Sequence, residues 1–563
     1  MTPVLGDSPD SATLLLFGGL PLALFGGALI AAPLSFLLLW RYRRAVLRGM
    51  MQSASNLAPR RPASAAHAEA GALAIRTVDS RSTTSSPAAR AGARRARVAV
   101  RRSTAIYAGA GAVFAAVLVA PLLIRYDQQL VDSIPRIGGW RWISVLWIDC
   151  WPAVIAVTLC MANGRGAQWR VVGIYAAILG GVLTLALAPD PRWIGVAALM
   201  LLVAVLPSVV TYAFLARRVR AVGPLVFTFV AVLLLGLLLG GTFLSQADVA
   251  SRIALRVQAS IGLDPSELLV GLFALMALGL VACSFVLFKG LAARYAAKRL
   301  SDQSLLIDSM FLLSGVMLSY QLVFVYFRIG WIVAGVTAFL AYLVARSIGF
   351  RLSFPTAPPR TLLLLRVFAL GNRSGRLFDA LRRRWLHCGA IAMIAGPDLA
   401  TSAVEPHEFL QFVSGSLSRE FIADDADLDR RARAMDRRRD PDGRFRVTEF
   451  FCHANTWQAT VQRLAAETDV VLMDLRSFSP ARAGCIYELG VLIGSIPLDR
   501  VLLLVDDTTD RPFLESTVQD LWARFGSASP GGQPPAPALQ MLATGGSANR
   551  DVDVLFEMLL ASG

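Results

Sequence analysis

The stretch DVVLMDLRSFSPARAGCIYELGVLIG, residues 469–494, decides how the C-terminal part of this chain is interpreted. Its apolar run VVLM ends at Asp474, which is typical of a strand buried on both faces of a parallel sheet. Ser479 and Pro480 then predict a helix start, because serine caps open amide groups and proline fits the first helical turn. A strand therefore leads directly into an apolar helix.

The surrounding sequence repeats this alternation. Strands are predicted at 389–395, 445–452, 469–475 and 500–505, and helices at 405–421, 456–467, 480–494 and 513–525. Such a pattern predicts an α/β domain of the flavodoxin- or Rossmann-like kind, with a parallel sheet covered on both faces. Ligands of these folds bind beyond the carboxyl ends of the strands. AGPD at 395–398, the segment from Asp474 to Ser479, and VDDTTD at 505–510 are all expected at that edge.

Glu488 is a carboxylate among apolar and glycine neighbours in GCIYELGVLIG. It shares a helical face with Cys485, Leu489 and Leu492, and burying a charge there costs free energy unless it is paired or used. Two interpretations follow. Glu488 either forms a structural ion pair with Arg476 or Arg482, or serves as a functional carboxylate.

Three pieces of the domain resemble the nucleoside 2-deoxyribosyltransferase superfamily: AIAMIAGPD (390–398), ETDVVLMDL (467–475) and GCIYELG (484–490). The spacing S-x(5)-C-x-x-E-L, from Ser479 to Leu489, is also similar to a helix of TIR domains. The resemblance covers about 120 residues. It implies an enzyme acting at the ribose C1′ of NAD or a nucleotide, as substrate rather than cofactor, and a homo-oligomeric assembly.

The resemblance also implies roles for single residues. Glu488 would be the nucleophile or the carboxylate that orients the ribose, and Asp474 would position sugar or base. Gly396 and Pro397 would shape the floor of the pocket. From the residues themselves, Ser479 at a helix start favours an anion such as phosphate, and Arg476 and Arg482 could hold the same group.

Composition sets the remainder of the chain apart. The 563 residues are 55% apolar and 17% charged, with a mean hydropathy of +0.56, which indicates an integral membrane protein in contact with the lipid bilayer. The net charge of +16 resides in arginines beside apolar runs, so nucleic acid is not an expected partner. The six cysteines form no CxxC pairs, so neither a metal site nor disulfides are expected. Nine spans are predicted at about 12–40, 104–124, 142–161, 170–188, 193–216, 224–245, 266–288, 303–327 and 329–346.

The predicted organisation has five parts. They are residues 1–49 with the first span, 50–102 as a disordered basic loop, 103–351 as the polytopic membrane domain, 352–525 as the α/β domain, and 526–563 as a linker with a short helix. Arginine-rich loops in alternate positions predict a multi-pass protein of the plasma membrane with its N-terminus outside and its C-terminal domain in the cytoplasm.

Three functions remain open on the sequence. The first is a membrane-anchored N-glycosidase acting on NAD or a nucleotide, in signalling or defence, and the second is a membrane signalling protein that binds a nucleotide without turnover. The third is a transporter with a regulatory domain. Intramembrane charge is sparse, and Asp149 and Asp308 either form a proton or ion relay or pair with neighbouring helices.

Overall fold

The computed structural model describes residues 9–53, 73–81, 87–129, 143, 146–161, 165–187, 205–215, 219, 222–245, 256, 265–326, 329–353, 360–366, 371–396, 406–415, 417–526, 538–545 and 548–562. The chain divides into two compact units. Unit 1 combines Met1–Trp40, Ser103–Ser353 and Glu405–Ser414, and unit 2 combines Arg41–Arg102, Phe354–Val404 and Gly415–Gly563. Each unit therefore draws on segments that are distant in sequence.

The described part of the first 351 residues is mainly helical. Its helices are α1 (Pro9–Met51), α2 (Pro87–Gln129), α3 (Trp151–Met161), α4 (Arg165–Leu187), α5 (Val205–Phe214), α6 (Gly223–Ser245), α7 (Pro265–Ala296), α8 (Asp302–Tyr326) and α9 (Ile332–Arg351).

Seven of these helices are long and apolar enough to cross a membrane: α1, α2, α4, α6, α7, α8 and α9. They coincide with seven of the predicted spans. Of the other two predicted spans, 142–161 and 193–216, the described parts include the shorter apolar helices α3 and α5, and the rest lies outside the described residues. The prediction of a membrane protein is supported in this general form.

Helices α8 and α9 pack closely against each other. Ser319 donates a hydrogen bond to the carbonyl of Ile332 and accepts one from the amide of Gly335, both at 3.0 Å. Near the other end of the pair, Asp308 accepts a hydrogen bond of 2.8 Å from the hydroxyl of Tyr342 and forms a salt bridge with Arg346. Of the two interpretations of Asp308, pairing with a neighbouring helix is therefore the one observed.

Unit 2 contains a parallel seven-stranded sheet. Its strands are β1 (Ala74–Asp79), β2 (Arg360–Arg366), β3 (Gly389–Ile394), β4 (Val447–Phe450), β5 (Val470–Asp474), β6 (Val501–Val505) and β7 (Ala538–Ala543), in the spatial order β1-β7-β6-β5-β2-β3-β4. From β2 to β7 the order is that of a doubly wound Rossmann sheet, and β1 adds an edge strand. The order reverses between β2 and β5, which places the ligand crevice of such folds at the carboxyl ends of these two strands.

The connecting helices cover both faces of the sheet, as predicted. They are α10 (Gly371–Trp385), α12 (Asp425–Arg433), α13 (Trp457–Glu467), α14 (Ala483–Ser495), α15 (Arg511–Phe525) and α16 (Ala548–Ala561), whereas α11 (Pro406–Val413), between β3 and β4 in the chain, belongs to unit 1. Side chains of α13, α14 and α15 form one apolar core with alternate strand residues. Side chains of α10, α16 and the start of α2 form the core on the opposite face.

The predicted disordered loop 50–102 needs correction where the structure describes it. Residues 74–79 form β1, which pairs in parallel with β7, and residues from Pro87 onward are helical. Ile75 packs against one core of the sheet and Val78 against the other. These two contacts hold β1 in place although it has few apolar residues. Residues 538–543, predicted as part of a linker, form β7. Strand β2, RTLLLLR, was not predicted, because it follows a proline-rich segment and Thr361 is its single β-branched residue.

Candidate functional site

The segment from β5 to α14 follows the carboxyl end of β5 and contains five of the candidate residues predicted from sequence: Asp474, Arg476, Ser479, Arg482 and Glu488. All five residues of β5 are buried, so the strand is held by apolar contacts on both faces. Ser477 in the following loop has φ of +59°, the left-handed backbone region that non-glycine residues rarely adopt. The chain turns sharply here, before α14 begins at Ala483.

Asp474 accepts two hydrogen bonds from the side chain of Arg476 and a third, of 3.3 Å, from its backbone amide. Nε of Arg476 lies 2.8 Å from Oδ1 of Asp474, and Nη2 lies 2.7 Å from Oδ2, with both side chains buried. Burial lowers the pKa of Arg476, but Asp474, together with the carboxylates of Asp506 and Asp551, outweighs this effect, so the pKa is raised. Arg476 is therefore a charge partner for carboxylates in this conformation.

Glu488 is buried in α14, with 4% of its surface exposed. Within the described residues, its Oε2 atom has no hydrogen-bond partner, and the carboxylate forms no salt bridge with Arg476 or Arg482. Burial alone raises its pKa from 4.5 to about 8. The structural ion pair considered from the sequence is thus not observed.

Asp474 and Glu488 belong to opposite faces of the sheet. Asp474 continues the side-chain alternation of Val470 and Leu472, which pack in the core formed with α10 and α16. Cys485, on the same helix as Glu488, packs with Met473 in the core formed with α13, α14 and α15. Burial and then Glu488 raise the pKa of Cys485, and Asp474 adds a smaller effect, so the thiol is within electrostatic range of both carboxylates.

The remaining predicted site residues have simpler environments. Gly396 is buried just after β3, whereas Pro397 lies outside the described residues. The carbonyl of Ser479 accepts a hydrogen bond of 3.0 Å from the amide of Arg482. Arg482 is the N-cap residue of α14 and makes no side-chain capping bond. The predicted capping by Ser479 is therefore wrong, because the helix begins later than residue 480.

Two loops at this edge are tied together by hydrogen bonds. Thr508 donates to Asp506 through both its amide (2.9 Å) and its hydroxyl (2.5 Å), and its Oγ1 accepts from the amide of Ser477 at 3.1 Å. Thr509 donates its hydroxyl to the carbonyl of Leu475 at 3.1 Å. We call Ser477, Asp506, Thr508 and Thr509 the loop clasp. The motif VDDTTD predicted that this segment lies at the edge of the sheet, but it did not predict the hydrogen bonds to the neighbouring loop.

Arg366 is a residue that the sequence did not suggest. It ends β2 beside Asp474 in the strand register and is buried. Both side chains line a narrow cleft between the sheet and α10, whose other walls are leucines and Phe378. The sequence shows Arg366 only as an arginine at the end of a leucine run. Its position at the ligand crevice becomes clear once that run is known to be the strand next to β5.

Metal ligation receives no support from the described residues, which contain no group of three or more His, Cys, Asp or Glu side chains placed to hold an ion. The described polar side chains at this edge include carboxylates, guanidinium groups and hydroxyls. Comparison with protein-family models and with curated proteins finds no match to this chain.

Proposed function

We propose that unit 2 binds NAD or a nucleotide at the carboxyl edge of its sheet and hydrolyses the N-glycosidic bond, with Glu488 acting at C1′. The observation that carries this proposal is a buried carboxyl group whose Oε2 has no hydrogen-bond partner among the described residues, on the helix that follows the strand at the switch point. Since such a group costs stability, a use for it outside folding accounts for its presence.

The chemistry follows from the reaction. When the bond from C1′ to the base nitrogen breaks, its electron pair leaves with the base and positive charge develops at C1′. The Glu488 carboxylate stabilises that charge or captures the sugar, and water then adds at C1′ to complete the hydrolysis. The proton lost by that water goes to the departing base when the base was neutral in the substrate, and to solvent when the leaving group is nicotinamide. A pKa of about 8 leaves Glu488 mostly protonated at neutral pH, whereas the role at C1′ needs the ionised carboxylate. The positively charged pyridinium ring of bound NAD would lower this pKa and so favour the ionised form.

The membrane part anchors or controls this domain. The proposed orientation has the N-terminus outside and unit 2 in the cytoplasm, on the basis of the arginine distribution. The likeness to TIR domains further suggests that the protein works as a homo-oligomer. Transport is the less supported function, because the carboxylate of Asp308 is already paired with Arg346 and Tyr342.

A second candidate is a signalling protein that binds the nucleotide without turnover. Two observations favour it: Glu488 is closed off in this conformation, and Asp474 is held by Arg476 rather than directed to a ligand. Under this alternative, Glu488 influences the stability of the closed state and contributes no chemistry.

The test uses the full-length protein in lipid nanodiscs, because unit 2 includes residues 41–102 and a fragment starting at 352 would lack β1. NAD and a panel of nucleosides and nucleotides are incubated with the wild type, Glu488→Gln and Glu515→Gln, and released base is followed by chromatography. Glu515 is exposed on α15 and serves as the matched control. Release that persists in Glu515→Gln and disappears in Glu488→Gln supports hydrolysis. Saturable ligand binding without release supports the second candidate.

A further inference from the structure

One face of α2 is lined by arginines. Arg90, Arg94, Arg95, Arg97, Arg101 and Arg102 are all exposed, and they occupy one side of the helix between Pro87 and Ser103. The other side packs into unit 2, where Ala93 and Ala96 join the core of α10 and α16 and Gly92 lies against Leu560. The sheet domain therefore fixes which way the arginines point.

Few acidic residues are available to balance the charge of five of these arginines, Arg90, Arg94, Arg95, Arg97 and Arg101. The sequence contains no aspartate or glutamate between Asp79 and Asp127. Within the described residues, no carboxylate forms a salt bridge with Arg90, Arg94, Arg95, Arg97 or Arg101. An unbalanced row of guanidinium groups held on an ordered helix is complementary to an external anionic surface.

The same helix identifies the kind of surface. Beyond Ser103, the exposed face of α2 changes from arginine to small and apolar residues, such as Ala105, Gly109 and Val113. Helix α2 is continuous through this change, and residues 90–120 are long and apolar enough to cross a membrane. The change therefore marks where a charged environment gives way to hydrocarbon.

Helix α1 shows the same change in the opposite chain direction. Its run of exposed apolar residues ends at Trp40, exposed arginines follow at Arg41, Arg44 and Arg48, and exposed Met51 ends the helix. Tryptophan and arginine at the end of an apolar helix are typical of the headgroup region of a bilayer. Two helices thus independently place arginine where phosphate headgroups lie.

We propose that the arginine face of α2 binds the phosphate groups of anionic phospholipids at the membrane surface. A helix rises about 1.5 Å per residue, so Arg101 lies roughly 3 Å, Arg97 roughly 9 Å and Arg90 roughly 20 Å along the axis from Ser103. Screening at physiological salt acts over about 8 Å. Arg97 and Arg101 therefore contact the headgroups, and Arg90 contributes little.

The experiment reconstitutes the full-length protein in phosphatidylcholine bilayers and measures, by electron spin resonance, the preference for spin-labelled phosphatidylglycerol over spin-labelled phosphatidylcholine. The wild type should prefer phosphatidylglycerol, and added sodium chloride should weaken the preference. R97Q and R101Q should each reduce it by about fivefold. R90Q, the matched control on the same face, should leave it unchanged.

Two results would overturn the proposal. In one, the wild type shows no preference for phosphatidylglycerol over phosphatidylcholine. In the other, R90Q and R101Q reduce that preference equally. Sodium phosphate that abolishes the preference where sodium chloride of the same ionic strength does not would indicate a site for free phosphate instead. Binding of a DNA duplex to the protein in phosphatidylcholine nanodiscs, lost in R97Q and R101Q, would assign the face to nucleic acid. Native circular dichroism of each variant confirms that the helix is intact.

Discussion

The guanidinium of Arg476 donates hydrogen bonds to both carboxylate oxygens of Asp474, two residues earlier in the chain, with N···O distances of 2.8 and 2.7 Å. The pair lies at the carboxyl end of β5, where the strand order reverses and a ligand would be expected. This charge pair is formed within the protein, and it orders the loop that leads to α14.

Removing one member of this pair should be strongly destabilising. Asp474→Ala leaves the buried guanidinium of Arg476 without its main partner, and we expect a loss of about 3–5 kcal/mol in the free energy of unfolding. Asp553→Ala, which breaks a more exposed pair with Arg384, should cost less than about 1 kcal/mol. Thermal unfolding of the full-length protein in detergent compares them, and similar losses in the two variants would contradict a structural role for Asp474.

Glu488 should make stability fall as pH rises. Its pKa is about 8 in the folded protein against an ordinary 4.5, so between these values the folded state binds more protons than the unfolded state. The stabilisation is complete below about pH 4.5 and is lost as pH rises through about 8, with a span on the order of several kcal/mol.

Glu488→Gln tests this dependence, because the amide stays neutral at every pH. The variant should unfold at a similar temperature to wild type at about pH 5 and at a higher temperature at about pH 9. Glu515→Gln, on the exposed side of α15, should follow the wild-type curve. Parallel curves for wild type and Glu488→Gln would show that Glu488 is ionised or paired in the folded state.

The loop clasp should limit access to the interior around Glu488. Thr508→Val removes the acceptor for the Ser477 amide and the hydroxyl that binds Asp506, so the strained loop before α14 is released. We expect faster maleimide modification of Cys485, which is buried on the same helix as Glu488. Peptide mass spectrometry resolves Cys485 from the other cysteines. Ser516→Ala, which removes a hydroxyl bond within α15, is the control, and an unchanged Cys485 rate in Thr508→Val would place the opening elsewhere.

The extent to which this architecture was predictable depends on how each element is stabilised. Strand β5 could be predicted because VVLM is apolar on both faces, and the long apolar helices follow from hydropathy. Strand β1 could not, because AIRTVD forms a strand through pairing with β7, more than 450 residues away in sequence. Glu488 could be identified as a candidate site residue because its sequence neighbours are apolar. That no arginine in the described part of the chain pairs with it could not be predicted, because this depends on Arg476 forming its salt bridge with Asp474.

The contact between α8 and α9 should depend on glycine at 335. A methyl group there would overlap the carbonyl of Gly315 and the hydroxyl of Ser319, and one on Gly315 would lie 2.9 Å from the Gly335 carbonyl. We expect Gly335→Ala to push the helices apart and to lower the free energy of unfolding by about 1–3 kcal/mol, through overpacking and loss of the Ser319 hydrogen bonds.

Gly173→Ala on α4 is the matched control, because nothing lies within 4 Å of its added methyl group. Thermal unfolding in detergent measures both variants. Alanine has a higher helix propensity than glycine, so Gly173→Ala should be neutral or slightly stabilising. The same result for Gly335→Ala would mean that α8 and α9 do not pack this closely in the protein.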